Sequence, residues 1–158
     1  MLEPQLVISM ELWNGLLSEL YTRTEEVHES GAFLLGLVID GYRQVKQIVY
    51  YDDLDLDAYQ TGIVTLHSDS FGKLWDLCRN KELSVVADIH VHGMSARQSL
   101  ADRENPMIAR KGHLALIVPW FAKPPVLVES LGFYQYQGDH RWRNLSGRRI
   151  TQHLVIQR

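Results

Sequence analysis

Hydrophobic positions change their spacing several times along the chain, and each change marks an element. Leu12, Trp13, Leu16, Leu17, Leu20 and Tyr21 recur at three- and four-residue intervals behind Ser9, which predicts an amphipathic helix opening at Ser9. The apolar run 31–39 and the segment 42–51 then read as strands, joined by Asp40-Gly41, a strong hairpin turn. An antiparallel sheet is expected to begin there. Residues 52–60 are acidic and aperiodic and predict a surface loop, followed by a short strand at 63–67 and a helix at about 70–80. From Leu83 to His92 the chain alternates, sending Val85, Ala87, Ile89 and Val91 to one face and Asp88, His90 and His92 to the other. A helix is expected from Ser99 to about Arg110, kinked or broken at Pro106. Segment 114–118 reads as a buried strand, and 126–136 with 141–145 as a hairpin about Gly138-Asp139. This order predicts an α+β fold, a mixed and largely antiparallel sheet flanked by helices.

Composition narrows the class without naming a chemistry. A chain of 158 residues predicts one domain, 1–158, and 46% hydrophobic with 22% charged residues argues against disorder. The single Cys78 excludes an intramolecular disulfide and, within a helical pattern, reads as a buried thiol. No run approaches the ~20 apolar residues of a membrane span, and Met1-Leu2-Glu3-Pro4-Gln5 lacks the basic start of a secretory signal, so a cytoplasmic protein is expected. A net charge of −3 provides no general drive toward nucleic acid, and His140, Arg141, Arg143, Arg148 and Arg149 read as a solvated or partner-facing patch.

Candidate chemistry concentrates in 88–102. His90 and His92 share a strand face and stand ~7 Å apart along it, close enough to lean toward one ion. Ser99-Leu100-Ala101-Asp102 has the form of a helix start that returns a carboxylate to the strand end. Two imidazoles and one carboxylate, with a fourth position left to water, match the ligand count of a catalytic zinc site. Asp88 reads as an acceptor behind the ligands or a solvated polar residue. Glu29, where the first helix gives way to the apolar strand, is the best-placed general base; Glu25 and Glu26 lie nearer the helix body. His28, His67 and His113 read as hydrogen-bonded structural histidines.

Taken together, Glu29-Ser30-Gly31-Ala32-Phe33-Leu34-Leu35-Gly36, His90-x-His92 and Ser99-x-x-Asp102 resemble the JAMM (MPN-plus, or JAB) metalloprotease motif. Gly93 replaces the family's usual proline, and the ten-position step from His92 to Asp102 is one shorter than usual. The resemblance implies a JAB/MPN, cytidine-deaminase-like three-layer architecture and one zinc ion on His90, His92 and Asp102. It also implies Glu29 as general base and Ser99 as stabiliser of the oxyanion. The expected activity is peptide or isopeptide cleavage after the C-terminus of a ubiquitin-like protein. The short stand-alone form is most similar to bacterial members encoded with E1-like, E2-like and ubiquitin-like proteins, some of them antiphage. The acidic segment 52–57 and the loop 93–98 are expected to border the cleft. Two other readings remain open: a metal-free scaffold that binds a ubiquitin-like partner, and a metal hydrolase acting on a small amidated metabolite or a cysteine-linked carrier protein.

Overall fold

Eight strands form one mixed sheet through the middle of the molecule, in a computed structural model that describes residues 3–158. In chain order they are β1 (Leu6–Ser9), β2 (Ser30–Ile39), β3 (Tyr42–Tyr50), β4 (Ser84–Val91), β5 (Leu114–Val118), β6 (Gly132–Gly138), β7 (Arg141–Asn144) and β8 (Leu154–Gln157). Across the sheet the order is β7-β6-β5-β4-β2-β3-β1-β8. The pairs β2–β3, β2–β4, β5–β6 and β6–β7 are antiparallel, whereas β4–β5, β1–β3 and β1–β8 are parallel. The protein is therefore α+β, with parallel pairing more prominent than its sequence suggests.

Helices cover both faces of the central strands, and the apolar run of β2 follows from that double burial as far as Gly36, whereas Leu37, Val38 and Ile39 at its end are exposed. Helix α1 (Met10–Thr24) packs Trp13, Leu16 and Leu20 against Ala32, Leu34 and Ile89. On the other face, α2 (Tyr51–Leu54) and α3 (Ser68–Lys81) pack Tyr51, Leu54, Leu74 and Cys78 around Phe33 and Leu35. Each fully buried large apolar side chain contributes roughly 1.5–3 kcal/mol of transfer free energy. Ser9 caps α1, its Oγ accepting from the Leu12 amide at 3.1 Å. Burial pushes the Cys78 thiol up from its ordinary pKa, as suits a packing residue.

Several elements differ from the sequence-based expectation. Residues 63–67 form no strand, and the helix after Ser99, α4, spans only Leu100–Glu104, because Pro106 follows too closely for it to continue. The strand expected from Val126 starts at Gly132 after a single helical turn at Val128–Ser130. Val85 does not share the face of Ala87: the register slips between Leu34 and Leu35, which pair with Ala87 and Val85, and Val86 takes the core position instead.

The acidic segment 52–60 is also not a free loop. Tyr51, Leu54 and Ala58 are buried, and Asp52 accepts from Arg23 at 2.9 Å and from the Tyr59 hydroxyl at 3.0 Å. Asp55 ties the segment to α3, accepting from the His67 amide (2.8 Å), the His67 ring Nδ1 (2.7 Å) and the Ser70 hydroxyl (3.1 Å). The backbone hydrogen bond from His67 leads in holding the Asp55 carboxyl well below the usual range, and the same carboxylate raises the His67 pKa. The Asp55 contribution is complete above the ordinary carboxylate pKa of about 3.9 and is lost as pH falls through its depressed value. That of His67 is complete below about 6.5 and is lost as pH rises through its raised value. Wild type is therefore expected to exceed Asp55→Asn in thermal stability most at about pH 5–6, with the difference shrinking toward lower pH and above neutrality. Unfolding of both proteins across pH 3–8 checks this; a constant difference contradicts it.

Candidate metal centre

The register of β2 against β4 assembles the first part of the site. Gly31 pairs with His90 and Ser30 with Val91, so Glu29, one residue earlier, stands across from His92. Its amide donates to the Gly62 carbonyl at 2.9 Å, and its Oε1 accepts from the Val64 amide at 3.3 Å. The other carboxylate oxygen, Oε2, lies 3.9 Å from His92 Nε2. Gly62 and Val64 thus clamp this glutamate, where a strand was expected only from residue 63.

His90 and His92 turn their Nε2 atoms toward each other at 2.9 Å. Asp102, brought back by α4, places Oδ1 3.3 Å from His90 Nε2 and Oδ2 3.0 Å from His92 Nε2. Donor atoms of the three residues all lie within 4.8 Å of one another, so the group can hold a metal ion. With metal–ligand bonds of about 2.0–2.1 Å, tetrahedral ligands stand about 3.3 Å apart, close to these spacings. His92 Nδ1 lies 3.1 Å from the Ser95 carbonyl, which can only accept; Nδ1 therefore carries the hydrogen and Nε2 presents its lone pair. Two imidazole Nε2 atoms and a carboxylate facing one point need a proton or a cation among them, and this donor set fits a borderline-soft divalent ion.

The electrostatics agree with that geometry. Burial opposes charge on His90, yet the hydrogen bond to Asp102 and the charges of Asp102, Asp88 and Glu29 together raise its pKa. Burial likewise opposes ionisation of Asp102, but the hydrogen bond and charge of His90 and the bond from the Ser99 amide hold its carboxyl well below the usual range. Negative charge that retains a proton on His90 also attracts a cation.

Ser99 and Asp102 form a complete capping box: the Ser99 Oγ accepts from the Asp102 amide at 3.1 Å, and Asp102 Oδ2 accepts from the Ser99 amide at 2.9 Å. The cap uses a lone pair of the Ser99 hydroxyl and leaves its proton free to donate. Asp88, buried two residues before His90 in the lining of the same cleft, accepts from His113 Nε2 at 2.6 Å. His28 and His67 are engaged elsewhere, His28 stacked on Tyr59 with Nδ1 donating to the Glu29 carbonyl.

The loop between His92 and Ser99 is held from outside itself. Phe121 donates its amide to the His92 carbonyl and Trp120 to the Met94 carbonyl, each at 2.9 Å. Trp120, Phe121 and Ala122 have φ of 56°, 58° and 58°, a left-handed conformation that costs roughly 1–2 kcal/mol per non-glycine residue. A Cβ at position 93 would meet the Phe121 ring at 2.8 Å, so Gly93 stands where a proline would not fit without displacing Phe121. Ala96 accepts from the Tyr134 hydroxyl at 2.8 Å, anchoring the loop to β6.

Around this group runs a cleft whose walls were not all anticipated. Loop residue Gln98 lines it, but the acidic stretch 52–57 does not; Ile63, Val64 and Thr65 take that side. Tyr51, Met107 and Trp142 also line it, and sequence reasoning missed all three. Trp142 reaches over from β7 and donates its indole N–H to the Arg103 carbonyl at 3.1 Å. The basic patch lies apart, with Arg143 paired to Glu3 at 2.7 Å. Among the described residues, no helix is long and apolar enough to cross a membrane.

No protein-family model matches the chain. Among solved structures, a protein of Desulfitobacterium hafniense, determined in solution, superposes with a TM-score of 0.68 at 14% identity, over 96% of this chain and 92% of that one. A solution structure of a protein from Salinibacter ruber gives 0.59 at 17% identity, over 96% and 90%. These are likenesses of fold alone.

Proposed function

We propose that this chain is a zinc-dependent, JAMM-type hydrolase that cleaves a peptide or isopeptide bond after the C-terminus of a ubiquitin-like protein in the cytoplasm, as deconjugation or precursor processing. The observation that carries this reading is the convergence of His90, His92 and Asp102 with Glu29 3.9 Å from the same imidazole. The motif resemblance and the mixed sheet with helices on both faces support a JAB/MPN-like architecture. A structural scaffold has no need of a base beside the ligand group, which disfavours a purely binding role.

His90, His92 and Asp102 would hold a divalent ion, which when bound would supply Lewis-acid activation for hydrolysis. Glu29, oriented by the Val64 amide, takes the proton of the attacking water and returns it to the leaving amine. The Ser99 hydroxyl proton, unused by the cap, stabilises the negative oxygen that develops on the former carbonyl. His92 is kept in register by Ser95, and Asp102 by the Ser99 amide, so neither has to reorganise during the reaction. β7 is an edge strand and carries Trp142 into the cleft, offering an open backbone edge to an extended tail.

The direct test is incubation of the zinc-loaded protein with fusions of candidate ubiquitin-like proteins, including any encoded beside E1-like and E2-like partners, with the cut site read by mass spectrometry. Cleavage directly after the ubiquitin-like C-terminus is expected. Intact fusions, alongside turnover of a small amidated metabolite, point to a different hydrolase.

Ser99→Ala separates two roles of one hydroxyl. Loss of the cap costs about 1 kcal/mol of stability. Loss of the oxyanion donor lowers turnover by roughly a hundredfold or more with substrate affinity little changed. Lower thermal stability with full turnover assigns Ser99 to the cap alone.

A further inference from the structure

The cleft beside the ligand group is roomy enough to take a side chain as well as an extended backbone. It encloses about 310 Å³, and Glu29, His90, Ser99 and Asp102 open into it. Apolar residues form most of the rest of its lining, Ile63, Met107 and Trp142 with Ala115 and Ile117 on the sheet, and Thr65, Asp88, Gln98 and Asn105 stand among them. Two features of the chain create the space. Helix α4 stops at Glu104, and β5 places the small Ala115 beside Asp88 in the lining. A cavity of roughly 150 Å³ already holds a benzene ring, and pockets for small ligands begin at about 300 Å³.

A second feature points to an occupant. Tyr51 lines the same cavity and is fully buried, and its hydroxyl has no hydrogen-bond partner among the described residues. Its ring lies along Gly31, where a Cβ would come within 2.4 Å of it. Glycine at that position lets the tyrosine sit beneath the cleft. A buried hydroxyl without a partner is costly, and a polar group of a bound ligand removes that cost.

We propose that this cavity is a side-chain pocket: the substrate residue adjoining the scissile amide is bulky and apolar, with its backbone carbonyl accepting from Tyr51. The proposal rests on the hydrolase reading above. It makes the cleft, as well as the ligand group, a determinant of which amides are cut.

Probe binding tests the pocket without any turnover. N-acetyl-L-phenylalaninamide and N-acetylglycinamide are titrated into the full chain, with and without zinc, and followed by NMR at the Trp142 indole. The phenylalanine probe is expected to bind roughly ten- to a hundredfold more tightly in both states. Equal affinities, or binding of neither probe, overturn the proposal. Ala115→Leu fills the pocket and should remove the preference; if that variant does not fold, Ala101→Leu on the exposed side of α4 replaces it. A preference that survives in a folded filled variant overturns the location. Tyr51→Phe should weaken the phenylalanine probe severalfold without lowering the melting temperature, since no hydrogen bond of the fold is lost. A lower melting temperature with unchanged affinity overturns the role of the hydroxyl. Fusion substrates carrying Gly, Leu or Phe on the acyl or the amine side of the cut bond then identify the side that enters, through kcat/KM. Equal rates across all of them overturn the proposal. Failure to cut any fusion, with probe preference intact, counts against the hydrolase reading and leaves the pocket in place.

Discussion

Glu29→Gln is expected to lower single-turnover amide hydrolysis by roughly 10²–10⁴-fold, the usual contribution of a positioned general base. The amide keeps the volume of the carboxylate and still accepts from the Val64 amide through its carbonyl oxygen, so the clamp between β2 and segment 62–64 persists. What it loses is the ability to take a proton. Fold, melting temperature and metal content should therefore stay close to wild type, and the variant should hold a ubiquitin-like fusion without cutting it. Metal content and single-turnover cleavage measured side by side check this. Equal cleavage in the two proteins removes Glu29 from the mechanism. The base then has to be sought at Asp88, which lines the same cleft while accepting from His113 at 2.6 Å; Glu26 faces Lys123 at 3.7 Å and does not line it.

His92→Ala is expected to have the second large effect, and it should act on the metal rather than on the proton. Two remaining ligands rarely hold zinc tightly, so bound metal should fall from near one ion per chain to background. Loss of His92 also removes the Nδ1 hydrogen bond to Ser95 and one partner of Asp102, so the loop 93–98 should loosen as well. His90→Ala should strip the metal with less effect on that loop, because the anchoring bond to Ser95 belongs to His92. Metal analysis after gel filtration, with hydrogen exchange over residues 93–98, distinguishes the two variants. Stoichiometric zinc in a protein lacking both histidines contradicts the ligand assignment.

Much of the candidate site could be read in the sequence because its parts obey short-range rules. Period-two alternation in β4 puts His90 on the face of Asp88, and the Ser-x-x-Asp spacing is that of a capping box, both independent of distant residues. Glu29 was legible as the junction of a helix and an apolar strand. Its clamp by Gly62 and Val64 was not, since those bonds come from a segment without periodicity. The left-handed turn at Trp120–Ala122 carries no sequence signal, because nothing in Trp-Phe-Ala favours positive φ. Gly93 likewise reads as a departure until Phe121 is seen against it.

The misread parts of the fold have the same origin. β1 and β8 are four residues each and pair Leu6 with Leu154 across nearly the whole chain, so neither has a local pattern long enough to reveal it. Val85 fell to the wrong face because a bulge shifts the register by one residue, which strict alternation cannot anticipate. The acidic stretch 52–57 suggested a solvated rim, yet Asp52 and Asp55 are used inward, on Arg23, Tyr59, His67 and Ser70. Carboxylates read from sequence alone carry no sign of their partners.

The most direct measurement is a zinc titration of metal-stripped protein with cleavage of a ubiquitin-like fusion followed in parallel. Hydrolysis should be absent without metal, rise in proportion to added zinc and stop rising at one equivalent, with His90→Ala and His92→Ala silent throughout. Cleavage that proceeds in the stripped protein, or zinc that binds at one equivalent without any gain of amide hydrolysis on any fusion tested, would contradict a catalytic metal at His90, His92 and Asp102.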